Sequence, residues 1–345
     1  MKRILIYRIG SIGDTVVALP ALWAIKKAFP SAHITYFTNG SKKIAEQILP
    51  KEIYTEILTY PKLPKGLIDL SKLLAKRFDA TFYLMNRNRD PIRIRRDRLF
   101  FKMISRKVYG ISHAIKEYLP IRVRSPLKTV KPEHEYLLDC IYEEKDLDLP
   151  PRKSITPDLK LTEVEKNRVK KILKDLGCDD KILVGLMMGS QWPSKQWDTE
   201  RFIEVLNRLM KEKDVFPVIF GGKNEKDVND KVLSRLIRGI NIAGMFDLRT
   251  DAAILEQCSL YLGTDTGTMH LAAAVGVPCV AIFSAIDYPG RWHPFGDHHK
   301  IIRKTVPCEG CLSAFCQTKF HECMNKINVE EVYTACLEVL NNHGA

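Results

Sequence analysis

Leu260-Tyr261-Leu262-Gly263-Thr264-Asp265-Thr266-Gly267-Thr268-Met269-His270 runs from an apolar segment into a turn of Gly, Thr and Asp. The apolar run Leu260–Gly263 has the length of a buried strand. Small hydroxyl residues and Gly267 follow, then a helix over Met269–Val275 and a second strand over Val280–Phe283. Strand, loop, helix and strand in this rhythm form the repeating unit of a parallel sheet covered by helices. A helix that opens on Thr266 and Gly267 leaves backbone N–H groups free to bind a phosphate, with His270 one turn in. The same residues also suit a Thr-capped helix with a core histidine.

The same rhythm runs outward in both directions. Past residue 160 the pattern predicts a helix over Val164–Leu176 ended by Gly177, and a strand over Ile182–Met187. A helix over Arg201–Lys211, a strand Val218–Phe220 running into Gly221-Gly222, and a helix Glu225–Ile237 come next. The first half reads Ile4–Tyr7 as strand, Val16–Phe29 as helix stopped by Pro30, and Ile34–Phe37 as strand into an Asn39-Gly40 turn. Lys42–Leu49 then reads as helix, Ile57–Thr59 as strand, Leu67–Leu74 as helix and Ala80–Leu84 as strand. Between the halves lies Leu149-Pro150-Pro151-Arg152-Lys153-Ser154-Ile155-Thr156-Pro157, polar and rich in proline, as a domain boundary should be. The expected fold class is therefore α/β, two doubly wound domains facing across a cleft. The expected division is 1–152, 153–327 and a C-terminal helix within 328–345 packing back on the first domain. At 345 residues and 45% hydrophobic, the chain can fill two cores.

No apolar stretch reaches the roughly 18 residues that span a bilayer, and the apolar run after Met1-Lys2-Arg3 is too short for a signal peptide. The expected location is the cytoplasm, where nine cysteines are not a disulfide framework by default. The net charge of +13 is concentrated: between Lys76 and Lys131 there are sixteen Lys or Arg and four Asp or Glu. The densest part, Arg87 to Arg98, includes Arg93, Arg95, Arg96 and Arg98. Such a field attracts phosphorylated lipid, glycan or nucleic acid, or is simply a solvated helix face. Phe100 and Phe101 read as the buried side of that helix rather than as a stacking platform, so no nucleic acid is expected.

Four loops follow strands and can carry chemistry. Arg8-Ile9-Gly10-Ser11-Ile12-Gly13-Asp14 lets the backbone approach a ligand. Asp14 is then either the cap of a helix or a carboxylate able to take a proton from an attacking hydroxyl. The glycine spacing matches neither a dinucleotide fingerprint nor a P-loop. Gly189-Ser190-Gln191-Trp192-Pro193-Ser194-Lys195-Gln196-Trp197 offers Lys195 as a cation for a departing diphosphate and Ser190 as a phosphate ligand, with the tryptophans packing the loop. Glu225, after Gly221-Gly222, accepts from ribose hydroxyls or favours a helix N-terminus. The fourth loop is the Asp265–His270 stretch.

Taken together, the Ile-Gly-Asp loop, the Ser…Lys-x-x-Trp loop, the Gly-Gly…Glu loop and the Asp-Thr-Gly-x-x-His box resemble glycosyltransferase family 9, in order and over essentially the whole chain. The resemblance implies a GT-B fold of two Rossmann-like domains and an inverting, metal-independent transfer of a heptose or related sugar from ADP-heptose to an anionic lipopolysaccharide inner core. It places the catalytic base on Asp14 and diphosphate contacts on Ser190, Lys195, Thr266 and Gly267, with Gln191 expected to bind the donor. Glu225 falls on the nucleoside side, with Asp265 toward the sugar and His270 beside the donor. Some members have two Thr where this chain has Ser190 and Gln191. The acceptor is expected against Gly13, Arg93, Arg95, Arg96 and Arg98, and the protein peripherally on the cytoplasmic face of the inner membrane. Closure about Pro150-Pro151 is expected to exclude water.

No catalytic cofactor is expected. The one Asp-x-Asp, Asp146-Leu147-Asp148, sits beside the proline-rich boundary and reads as surface charge. Cys308, Cys311, Cys316 and Cys323 form a compact set whose ligand count suits a structural zinc or iron ion, or they are reduced structural thiols. Rival readings are transfer to a protein or another glycan, a nucleotide-sugar epimerase or hydrolase of the same fold, and a basic membrane- or nucleic-acid-binding protein without activity.

Overall fold

Ile4, Leu5 and Ile6 are completely buried, as a strand with helices on both faces requires. The structure, a computed structural model, describes residues 1–39, 42–60, 65–121, 125–318 and 320–342; Gly40 of the expected turn lies outside them. The chain divides into two compact units, Met1–Ile121 with Lys131–Lys160, and Arg122–Val130 with Leu161–Ala345.

The first unit contains β1 (Arg3–Tyr7), α1 (Ile12–Val16), α2 (Leu19–Ala28), β2 (His33–Thr38), α3 (Lys42–Ile48) and β3 (Glu56–Thr59). It continues with α4 (Lys65–Ala75), β4 (Phe78–Tyr83), α5 (Pro91–Ile104), β5 (Ser105–Tyr109), α6 (Ile111–Lys116) and α7 (Glu133–Tyr142). Its strands are all parallel, in the order β3-β2-β1-β4-β5. The single helix expected over Val16–Phe29 is two. Pro20 has no N–H to continue the first helix, so the chain ends α1 and restarts with Pro20 in the first turn of α2. Strand β5 was hidden in the basic segment. It is an edge strand carrying exposed Arg106 and Lys107, a usual protection against edge pairing.

The second unit contains α8 (Glu163–Asp175), β6 (Ile182–Met187), α9 (Thr199–Lys213), β7 (Val215–Ile219), α10 (Lys226–Leu233), β8 (Ile240–Asn241) and α11 (Leu248–Leu255). Then come β9 (Leu260–Thr264), α12 (Gly267–Ala274), β10 (Cys279–Phe283), β11 (Lys300–Arg303), α13 (Glu322–Asn325) and α14 (Val329–Asn342). The parallel order β8-β7-β6-β9-β10-β11 is the Rossmann order. Two Rossmann-like parallel-sheet units are the expected GT-B architecture. In each sheet the order reverses beside the first strand, between β1 and β4 and between β6 and β9. Ligands of such sheets bind at the carboxyl ends of the strands at these points.

Two expected boundaries are corrected. The division falls after Lys160, not at Lys153, because the proline-rich stretch is tied to the first unit. Tyr142 Oη donates to the Pro150 carbonyl at 2.6 Å, and Trp23 Nε1 to the Asp158 carbonyl at 2.7 Å. The last helix lies in the second unit. Val332, Cys336, Val339 and Leu340 on one side of α14 enter the core of the second, against α9 and the sheet. Sequence reading also missed that residues 125–130 belong to the second unit. The Leu127 N–H and Ser125 hydroxyl donate to Glu309, at 2.8 and 3.1 Å, and the Val130 N–H to the Pro289 carbonyl. Among the described residues no helix is long and apolar enough to cross a membrane.

Candidate active site

At the carboxyl end of β1 the chain places Arg8, a completely buried cation. Its Nη1 donates to the Leu84 carbonyl at 3.1 Å, its Nε to the Asp14 carbonyl at 3.0 Å, and its Nη2 to Asp14 Oδ1 at 3.3 Å. Asn86, at the end of β4 across the switch point, donates its side-chain amide to the same oxygen at 2.9 Å. Asp14 Oδ2 accepts from the Ser11 N–H at 2.8 Å and the Ser11 hydroxyl at 3.0 Å. Asp14 is thus not the cap residue itself. Ser11 precedes α1, and Asp14 folds back on it from the first turn. Gly10 makes this possible: its φ of +143° lies in the region that favours glycine, and a Cβ there would fall 2.2 Å from Asp14 Cγ.

Burial alone would raise the Asp14 pKa. The Arg8 charge and the donors Ser11 and Asn86 outweigh it and hold the carboxyl below its ordinary value. Four donors occupy the roughly four lone-pair positions of the carboxylate. Of these the Ser11 hydroxyl is the one that can rotate away, and an incoming hydroxyl would take its place on Oδ2.

In the second unit, the loops after β6, β7 and β9 come together. Lys195 Nζ lies 2.6 Å from Asp265 Oδ2. Thr264 Oγ1 donates to the Gly189 carbonyl at 3.2 Å. Glu225 Oε2 accepts the Gly222 N–H at 2.7 Å, and its Oε1 fills the space a Cβ on Gly189 would need. Thr266 stands at the start of α12 without a side-chain capping bond, and the first turn of α12 has no acidic residue, so its N–H groups face no competing carboxylate of their own helix. His270 is buried one turn in, edge-on to Trp292. Ser190 Oγ accepts the Trp192 N–H at 3.2 Å, and Gln191 is exposed. Trp197 is a packing residue, buried against Phe202 with Nε1 on the Ile327 carbonyl.

Several residues of these clusters were not found from sequence. Arg8 and Asn86 hold Asp14; a charge directly after an apolar strand was the available signal for Arg8, and Asn86 had none. Burial lowers the pKa of His293, after β10, against the opposing effect of the Asp265 charge. The Lys195 loop is braced from behind by the cysteine-rich segment. Ser194 Oγ donates to the Ser313 carbonyl at 2.6 Å, the Ser194 N–H to Ala314, and His321 Nε2 to the Ser194 carbonyl at 2.9 Å.

Arg93, Arg95, Arg96 and Arg98 are all exposed on α5. Arg89 instead turns inward to the buried Asp97, which also accepts from the Tyr83 hydroxyl. Asp146 pairs with Lys107 and accepts from Tyr109. Of the four grouped cysteines, Cys323 is buried, Cys311 half-buried, and Cys308 and Cys316 exposed. Burial, then the neighbouring thiols, raises the pKa of Cys308 and Cys323. The donor set suits a thiophilic ion, yet as placed no three of these sulfurs lie within 4.8 Å of one another; among the described residues only His113, Asp139 and Glu143 do so.

The sequence model of "Glycosyltransferase family 9 (heptosyltransferase)" matches residues 136–321. The chain is 26% identical over 348 residues to lipooligosaccharide heptosyltransferase 2 of Campylobacter jejuni, covering 96% of each. Its backbone resembles a family 9 glycosyltransferase of Veillonella parvula with a TM-score of 0.73, at 20% identity over 99% of this chain and 97% of that one. It resembles the Escherichia coli ADP-heptose heptosyltransferase II with a TM-score of 0.71, at 18% identity over the whole of both chains.

Proposed function

The chain belongs to glycosyltransferase family 9, the heptosyltransferases, and we propose that it moves a heptose from ADP-heptose to an anionic inner-core acceptor of lipopolysaccharide or lipooligosaccharide. The reaction we propose is one inverting displacement. Asp14 takes the proton of the acceptor hydroxyl as its oxygen bonds the anomeric carbon, and the carbon–oxygen bond to the β-phosphate breaks with its electron pair leaving on ADP. The observation that carries this reading is the Asp14 carboxylate, ionised and fixed by Arg8, Asn86 and Ser11 at the switch point of the first sheet.

Charge developing on the diphosphate is met in this reading by Lys195, the Ser190 hydroxyl and the N–H groups of α12 at Thr266 and Gly267. Asp265 holds Lys195 ready for that anion, with Gln191 and His270 beside the donor and Glu225 on the ribose hydroxyls. Lys195 and the N–H groups of α12 supply positive potential in this reading without a metal ion, and the Asp-x-Asp aspartate Asp146 is already engaged by Lys107. Gly13 and the arginines of α5 are assigned to the acceptor, and peripheral contact with the inner membrane would bring the enzyme to it. A zinc or iron ion at Cys308, Cys311, Cys316 and Cys323, if taken up, would be structural, because that segment braces the Lys195 loop rather than reaching the reacting atoms.

The test is product analysis with ADP-heptose and a deacylated inner-core acceptor. A coupled glycan with inverted anomeric configuration is the expected product. Free heptose would make the protein a hydrolase, and an unchanged acceptor with an altered donor sugar would make it an epimerase.

A further inference from the structure

Helix α5 is apolar on two opposite sides. At 3.6 residues per turn, Ile94, Asp97, Phe101 and Ile104 share one side, and all four are buried against the first sheet. Ile92, Leu99 and Met103 fall on a stripe about 40° wide on the opposite side, and they are 75%, 69% and 61% exposed. Single exposed apolar residues are ordinary. Three large ones aligned on the outward face of one helix are not scattered residues. Arg95, Arg98 and Lys102 flank the stripe on one edge and Arg96 on the other. Arg93, Arg95, Arg98 and Lys102 form no ion pair among the described residues. The helix's single carboxylate, Asp97, points into the core and is held by Arg89, Arg96 and Tyr83. The outward face therefore carries apolar side chains and positive charge with no acid between them.

We propose that this face of α5 docks on an anionic lipid bilayer, with Ile92, Leu99 and Met103 entering the boundary between headgroups and acyl chains while the flanking arginines bind lipid phosphates. The charge pattern selects this occupant. A second copy of a basic protein would set arginine against arginine, whereas anionic headgroups complement the rim and accept the apolar stripe below it. The proposal deepens the peripheral membrane contact named above and rests on that reading.

The experiment is co-sedimentation of the full chain with vesicles of phosphatidylcholine alone, and of phosphatidylcholine and phosphatidylglycerol in equal parts. The wild type should bind the anionic vesicles, less so at high salt, and the neutral ones weakly. The triple variant Ile92→Ser/Leu99→Ser/Met103→Ser should lose about tenfold or more in binding. It should keep its melting temperature and its transfer rate to a deacylated, soluble acceptor. Arg95→Gln/Arg98→Gln should weaken binding roughly fivefold per charge. Unchanged vesicle binding by the triple variant overturns the proposal. So does a wild-type dimer in light scattering that the triple variant converts to monomer without a change in vesicle binding. If vesicle binding behaves as described but no glycan is made, the transfer reading fails and the docking surface stands.

Discussion

The Arg8 guanidinium grips Asp14 twice, once on its backbone carbonyl and once on its carboxylate, at 3.0 and 3.3 Å. The double contact fixes both where the carboxylate sits and that it stays charged. A carboxylate held this way is a weaker base than a free aspartate but is present in full at neutral pH. In the proposed reaction its contribution would come from position.

Replacing Asp14 by Asn should keep the fold and donor affinity while cutting kcat by roughly 10²–10⁴-fold. The Asn carbonyl still accepts from Arg8, so the loss of stability should stay near 1–3 kcal/mol. Ser11→Ala, which removes only the displaceable donor, should leave kcat within several-fold of wild type. Steady-state kinetics on both variants check this, and near-normal turnover in the Asn variant would remove Asp14 from the mechanism.

The depressed Asp14 pKa also sets a pH dependence. The folded value lies below the unfolded one, so the stabilisation is present above the unfolded pKa of about 3.9 and is lost as pH falls through the folded value. The acid limb of kcat/KM should accordingly fall below the ordinary aspartate range. Urea midpoints measured against pH should drop at the acid end less steeply in the Asn variant than in wild type. An acid limb near pH 6 would point to another group.

Lys195→Ala should reduce kcat by roughly 10²–10³-fold, the usual cost of removing a donor aimed at developing charge. Lys195→Arg should recover part of it. Activity should survive brief EDTA treatment of the folded enzyme. If chelation stops transfer at once and Mg²⁺ or Mn²⁺ restores it, the metal-free displacement is wrong.

Sequence carried the architecture because parallel strands buried on both faces read as short apolar runs, as at Ile4–Tyr7 and Ile182–Met187, and because Gly and Thr mark the loops that follow them. It carried Lys195 and Asp265 as members of separate loops; their contact appears only when β6 and β9 lie side by side. Arg8, Asn86 and Asp14 meet for the same reason, through the pairing of β1 with β4. The outward stripe of α5 escaped notice because arginines at nearly every other position hide a helical period. Residues 125–130 escaped because a crossing segment held by hydrogen bonds to Glu309 and Pro289 has no pattern of its own.

The arginines assigned to the acceptor in this proposal can separate the two halves of the proposed reaction. Changing Arg93, Arg95, Arg96 and Arg98 together to Gln removes four exposed charges and keeps helix-compatible side chains. The acceptor KM should rise and lose much of its salt dependence, while the donor KM stays put.

The brace behind Lys195 consists of three tethers on Ser194. His321 and the carbonyls of Ser313 and Ala314 hold Ser194 from the cysteine-rich segment. Lys195 follows Ser194 directly, so slack there is slack at the diphosphate. His321→Ala removes one of three tethers and touches no reacting atom. The donor KM should rise about threefold to tenfold, a change of roughly 1 kcal/mol for one lost hydrogen bond, with the acceptor KM unchanged. Cys311→Ser asks whether a metal contributes to the same brace. A thiophilic ion in the purified protein that this variant loses, along with a similar rise in donor KM, would make the metal part of the brace. If the wild type carries no metal and Cys311→Ser matches it in kinetics, the four thiols are packing residues, and the brace rests on the Ser194 hydrogen bonds alone.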